Sequence, residues 1–80
     1  MLEYICMREY EFDSLIFAER LKDLRKQFKI GQNELASKLQ LSNASISYWE
    51  NCKQEPTASA LYKLAKFFGV TIDYLLGLEN

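Results

Sequence analysis

Asn43, Ala44, Ser47 and Tyr48 are the residues of this chain whose types and spacing best fit a chemical task. At roughly 100° per residue they fall on one side of a helix. Ile46 and Trp49 fall nearly opposite. One face is therefore apolar, and the other carries an amide, a hydroxyl and a phenol on short stems. Such a face suits recognition of a polar, structured surface. Ser42 precedes it as a natural N-cap, because its hydroxyl can accept from an amide that a first helical turn leaves unpaired. The plain alternative is an amphipathic helix with a solvated outer face, since helical periodicity alone is common.

Other chemistries are closed off by composition. The chain of 80 residues has no histidine, so Ser-His-Asp and Cys-His arrangements are impossible. Cys6 and Cys52 stand far apart without a CxxC pair; no metal site is expected, zinc included. A single disulfide between them stays open, but there is no disulfide framework. There is also no glycine-rich phosphate loop. No catalytic residue, cofactor or small-molecule ligand is therefore expected, and the chain reads as non-enzymatic. Apolar residues make up 49% of it and aromatics 14%, enough for one small compact domain and against disorder. Gly and Pro are few, which favours helices. No apolar run could span a bilayer and no signal-peptide pattern is present, so a cytoplasmic protein without membrane partners is the default expectation.

Net charge is −1, which on its own counts against a nucleic-acid partner. The distribution is uneven. Residues 1–14 hold Arg8 against Glu3, Glu9, Glu11 and Asp13. Residues 22–53 hold six basic side chains against three acidic ones. The positive excess thus surrounds the uncharged face. Phosphate contacts can also draw on backbone amides and helix N-termini.

The elements that would position this face follow from periodicity. Residues 1–13 form an N-terminal extension in which Leu2, Tyr4, Cys6, Tyr10 and Phe12 alternate partly as a strand would. It could pair between subunits, lie on the helical core or be poorly ordered, and Met7 could be an internal start. Residues 14–80 form the domain proper. Asp13 or Ser14 caps a first helix to about Phe28, with Phe17, Leu21, Leu24 and Phe28 inward. Its Arg20 and other charged residues would be mostly solvated. Gly31 permits the next turn. A second helix, Gln32 to Leu39, puts Leu35, Ala36 and Leu39 inward. Gln40 and Leu41 then connect tightly to Ser42, as in a helix-turn-helix, and Ala36 lets the two helices approach. Pro56 keeps Glu55 out of helix. Thr57 caps a fourth helix ended by Gly69, and Thr71 caps a short fifth ending near Gly77.

From about Phe17 to Leu76 the sequence resembles the Cro- and phage-repressor-like helix-turn-helix (XRE) family. The resemblance rests on residues 17–25 (FAERLKDLR), then Gln32, Asn33, Glu34, Leu35 and Ala36. It continues through Leu41, Ser42, Ile46, Ser47, Trp49, Glu50, Asn51, Lys53 and Pro56. Leu61, Leu64, Ala65, Val70, Asp73, Leu75 and Leu76 complete it. It implies an all-α fold, a compact five-helix DNA-binding domain, and a transcriptional regulator, specifically a repressor. The helix over residues 42–51 would read the major groove. Asn43 would suit adenine, Ala44 a thymine methyl, Ser47 either kind of partner, and Tyr48 a base or a phosphate. Gln32, Ser45, Asn51, the loop amides and Lys53 would hold phosphates. Arg25 and Glu50 match a structural ion pair.

The resemblance also carries departures. Gly31 stands where Thr or Ser often caps. Gln40 and Cys52 occupy turn positions often held by glycine, where a positive φ costs about 1 kcal/mol, and Asn51 could take part of that strain. The reading face lacks the Arg or Lys that commonly contacts guanine. A domain this small implies a homodimer on a palindromic double-stranded operator with half-sites roughly 34 Å, or a multiple of that, apart. Ile72, Tyr74, Leu75, Leu78 and the 2–12 segment are the apolar candidates for its interface. The alternative is a protein-interaction module on the same fold, antitoxin-like or anti-repressor-like, with weak DNA binding.

Overall fold

The computed structural model describes residues 10–79. Five α-helices lie among them: α1 Ser14–Phe28, α2 Gln32–Leu39, α3 Asn43–Glu50, α4 Ala58–Phe68 and α5 Ile72–Leu76. The all-α expectation holds, and every expected helix is present. Residues 10 and 11 form a turn and bend, and residues 12 and 13 lead without regular structure into α1; the remainder of the proposed extension lies outside the described residues.

The helix starts follow capping chemistry. The Asp13 carboxylate accepts from the amides of Leu15 and Ile16 at 3.0 and 3.2 Å. Ser42 accepts from Ser45 N at 3.2 Å, Thr57 from Ala60 N at 3.1 Å and Thr71 from Tyr74 N at 2.9 Å. Each satisfies an amide that the first turn leaves open. Gly31 has no side chain to do this, and α2 begins without a side-chain cap.

The helix ends bring two corrections. Lys29, and not Gly31, takes the left-handed conformation after α1, at φ 54°, whereas Gly31 sits at an ordinary −80°. Gln40 and Cys52 do adopt positive φ, 57° and 59°. Asn51 relieves none of that strain, since it stays at φ −103°. The left-handed turns at Lys29 and at Gln40 each let amides fold back onto the last carbonyls of their helices.

The core is built from Phe17, Leu21 and Leu24 of α1, Leu35 and Ala36 of α2, Ile46 and Trp49 of α3, Leu61, Leu64 and Phe68 of α4, and Leu75 of α5. Ile30, read only as part of a break, is also buried. α1 packs on α3 and on α5, α2 on α3, and α4 on α5. Phe28 is not interior. It is half exposed and rests edge-on against Phe68, ring centroids 5.0 Å apart, with Phe67 beside it. Leu39 is half-buried at the rim. Of the apolar candidates for a subunit interface, Leu75 is fully buried and Ile72, Tyr74 and Phe12 pack against the core; Leu78 is exposed.

Candidate nucleic-acid interface

α3 is amphipathic in the way its sequence requires. Ile46 and Trp49 are buried, and the Trp49 indole meets Phe17 edge-on at 6.2 Å. With that face fixed in the core, Asn43 and Ala44 are exposed, Ser47 is half-buried and Tyr48 is 41% exposed. The four side chains named from helical spacing therefore share one outward surface. The Ser45 hydroxyl lies 2.7 Å from that of Ser42, so the two hydroxyls share a hydrogen bond at the helix start.

The loop after α3 is more committed than its sequence suggests. The amides of Asn51, Cys52 and Lys53 donate to the carbonyls of Ser47, Trp49 and Tyr48 at 3.0, 3.2 and 2.8 Å. They close the helix and are not free for a phosphate, which corrects the expectation for these loop amides. The Asn51 side chain folds back too, donating from Nδ2 to Ser47 O at 2.8 Å. Lys53 keeps its exposed ammonium.

Behind the surface, one carboxylate organises three donors. Glu50 is 4% exposed. Arg25 reaches it with Nε to Oε2 at 2.5 Å and Nη2 to Oε1 at 2.7 Å. Gln32 Nε2 donates to the same Oε1 at 2.9 Å. Arg25 Nη1 also donates to Ile30 O at 3.1 Å. The planar, two-pronged geometry is what a guanidinium provides and an ammonium does not. The hydrogen bond to Glu50 holds Arg25 above the usual arginine range; burial opposes this, and the nearby negative charge adds to it. A raised arginine gives its stabilisation in full below the ordinary arginine range and loses it only at still higher pH. Arg25 therefore stays charged at the neutral and alkaline pH of ordinary buffers. Because a carboxylate can only accept, Glu50 also fixes which end of the Gln32 amide faces inward. The second Nε2 hydrogen remains for an outside acceptor.

Residues 18–80 match the protein family described as "Helix-turn-helix domain". The chain belongs to the XRE-type, phage-repressor-like branch of that family. It is 43% identical over 64 residues to the HTH-type transcriptional activator BcrR of Enterococcus faecalis, covering 80% of this chain and 31% of that protein. It superimposes on the crystal structure of the P22 c2 repressor in complex with a synthetic operator at a TM-score of 0.74, with 36% identity, covering 80% of this chain and 97% of that one. A third likeness is to hydroxypropylphosphonic acid epoxidase from S. wedmorenis, at TM-score 0.69 and 38% identity, covering 79% of this chain and 34% of the enzyme's. The domain thus also occurs as part of an enzyme. The chain spans 31% of BcrR's length and 58%, 49% and 28% of three further curated regulators.

Within this helix-turn-helix domain, sequence reasoning missed two side chains. It treated Gln32 only as an outward phosphate ligand, without its bond to Glu50. It treated Arg20 as solvated, but Arg20 Nη1 donates to the backbone carbonyls of Tyr74 and, at 2.7 Å, Glu79. The Arg20 guanidinium also lies 4.4 Å from the centre of the Tyr74 ring. Partners 54 and 59 positions away leave no local sequence signal. Among the described residues no group of three or more His, Cys, Asp or Glu could hold a metal, and no helix is long and apolar enough to cross a membrane.

Proposed function

We propose that this chain is a sequence-specific double-stranded-DNA-binding transcriptional regulator, a cytoplasmic repressor that acts as a homodimer on a palindromic operator. α3 enters the major groove. The observation that carries this reading is the state of α3 itself. Its apolar face is locked into the core, and its uncharged face stands outward one tight turn after the end of α2. The likeness to a repressor crystallised with operator DNA supports the same reading.

Asn43 offers a donor and an acceptor to adenine, Ala44 packs on a thymine methyl, Ser47 takes either partner, and Tyr48 touches a base or spans to a phosphate. Around them, phosphates are held by donors. Gln32 contributes its free Nε2 hydrogen beside the first-turn amides of α2, which Gly31 leaves uncapped and which favour an anion. Lys53 contributes its ammonium. Ser45 and Asn51 are weaker contributors, because Ser45 shares its hydroxyl with Ser42 and Asn51 must leave Ser47 to reach out. With no Arg or Lys among the base readers, selectivity leans towards A·T-rich half-sites. Residues 1–13 act as an extension to the domain over 14–80. The chain is non-enzymatic and works without metal, cofactor or small-molecule ligand.

Selection of bound fragments from random duplex DNA tests the proposal. The expected product is a palindrome with half-sites about one turn apart, roughly 34 Å, bound with an affinity that falls steeply with salt. Asn43→Ala with Tyr48→Ala should abolish the preference. If that pair leaves binding and preference untouched, the recognition face is assigned wrongly. If no duplex is retained at low salt, the domain is an interaction module of the antitoxin or anti-repressor kind.

A further inference from the structure

α2 and α4 do not form one of the principal packed helix pairs. Between the last turn of α2 and the outer face of α4 lies an open cleft of about 380 Å³. Its apolar part is made by Leu39 and Phe67, both half-buried, and by the Tyr62 ring, which is 59% exposed. Lys38, Lys63 and Lys66 surround it, and no acidic side chain lines it. Lys66 Nζ stands 5.8 Å from the Tyr62 ring centre. In a chain of net charge −1, three ammoniums around an apolar floor run against the overall balance. Among the described residues, none of the three has a carboxylate within 4.0 Å.

We propose that this cleft is a docking site for an acidic, aromatic-bearing peptide segment of a partner protein. Charge and surface type together select that occupant. The lysines attract and orient carboxylates but hold them weakly, since exposed ion pairs contribute little. Binding strength must come from burying a side chain on Leu39, Phe67 and Tyr62, and an aromatic ring suits a tyrosine face edged by a lysine. A DNA backbone would use the lysines and leave the apolar floor wet. No residue of the cleft belongs to the DNA-facing set, so the two surfaces can be engaged at once. The proposal stands whether or not DNA is bound.

The test is an NMR titration of the full chain with a synthetic peptide of about 12 residues, alternating Glu and Phe, against a Glu/Ser peptide of equal charge. The Glu/Phe peptide should shift the amides of Lys38, Tyr62 and Phe67 and bind at least about tenfold more tightly than Glu/Ser. Tyr62→Ala, and separately Lys63→Gln with Lys66→Gln, should each weaken it several-fold; all three side chains lie at the surface rim, so the fold should persist. Random duplex DNA should leave the cleft unshifted. Three results overturn the proposal: equal binding of both peptides, cleft shifts on adding duplex, or cleft shifts that grow with protein concentration alone. The second assigns the cleft to DNA backbone, and the third to a second copy of the chain.

Discussion

Arg20 and Arg25 sit on the same helix, just over one turn apart, and solve different problems. Arg25 meets a buried carboxylate with two parallel hydrogen bonds. Arg20 meets two backbone carbonyls and an aromatic face at the far end of the chain. The first arrangement ties α1 to the end of α3 and, through Gln32, to the start of α2. It therefore fixes the mutual placement of the two helices that carry the candidate interface. The second ties α1 to α5, a helix of five residues too short to hold itself by its own hydrogen bonds. A buried ion pair is costly to break from one side, because the remaining charge is stranded. A charge on carbonyls leaves neutral groups behind when it goes, and water can replace it near the surface.

The largest contrast should appear in Glu50→Ala. It strands the Arg25 guanidinium, whose side chain is 18% exposed, and removes the anchor of Gln32. A loss of about 3 kcal/mol in unfolding free energy by urea titration is expected. Because α1, α2 and α3 all meet at Glu50, the whole domain should unfold at lower denaturant as one unit. A loss below about 1 kcal/mol would mean that water reaches the pair and that it behaves as an exposed one.

Arg20→Ala should cost less, about 1–2 kcal/mol, from two hydrogen bonds to a charged donor and one cation–aromatic contact. Its signature should be local. Hydrogen exchange should quicken in α5 while α2 and α3 keep their protection. Uniform loss of protection would show that α5 is as integral to the domain as the helix-turn-helix pair, which would erase the contrast.

The same comparison shows what could be read in advance. The helices and their caps were legible because capping and periodicity are local: Asp13, Ser42, Thr57 and Thr71 each act within three residues. The outward set on α3 was legible because Ile46 and Trp49 had to go inward. The Arg25–Glu50 pair was visible only through family resemblance, since nothing in the spacing of residues 25 and 50 links them. Arg20's carbonyl partners, the Gln32–Glu50 bond and the burial of Ile30 depend on how distant segments meet, and neither propensity nor periodicity carries that. The turns lie between these cases. Gln40 was foreseeable as a left-handed position, but Lys29 was hidden by a glycine two residues on. Gln40→Gly should therefore raise stability by about 0.5–1 kcal/mol, relief of backbone strain outweighing the extra freedom of the unfolded chain. Thermal unfolding would show it as a modest increase in Tm; a decrease would mean that the Gln40 side chain contributes contacts that outweigh its strain.

The smallest effect on stability is expected from Gln32→Ala, and it isolates the Arg25 end most cleanly. The substitution removes one hydrogen bond to Glu50, but both Arg25 contacts remain and satisfy the carboxylate. Less than about 0.5 kcal/mol should be lost, because Gln32 lies at the half-exposed first turn of α2 and Ala is the better helix former. Binding should respond differently if Glu50 aims Gln32 at a phosphate. Affinity for operator and for random duplex should then fall together by about tenfold, with sequence preference kept, since a phosphate contact carries no base information. Gln32→Glu sharpens this further. It places a carboxylate against Glu50 and towards the DNA backbone at once, so it should lose both stability and binding. Were Gln32→Ala to change the preferred sequence instead, the side chain would be acting through the placement of α3, and the Arg25–Glu50–Gln32 cluster would be setting specificity as well as position.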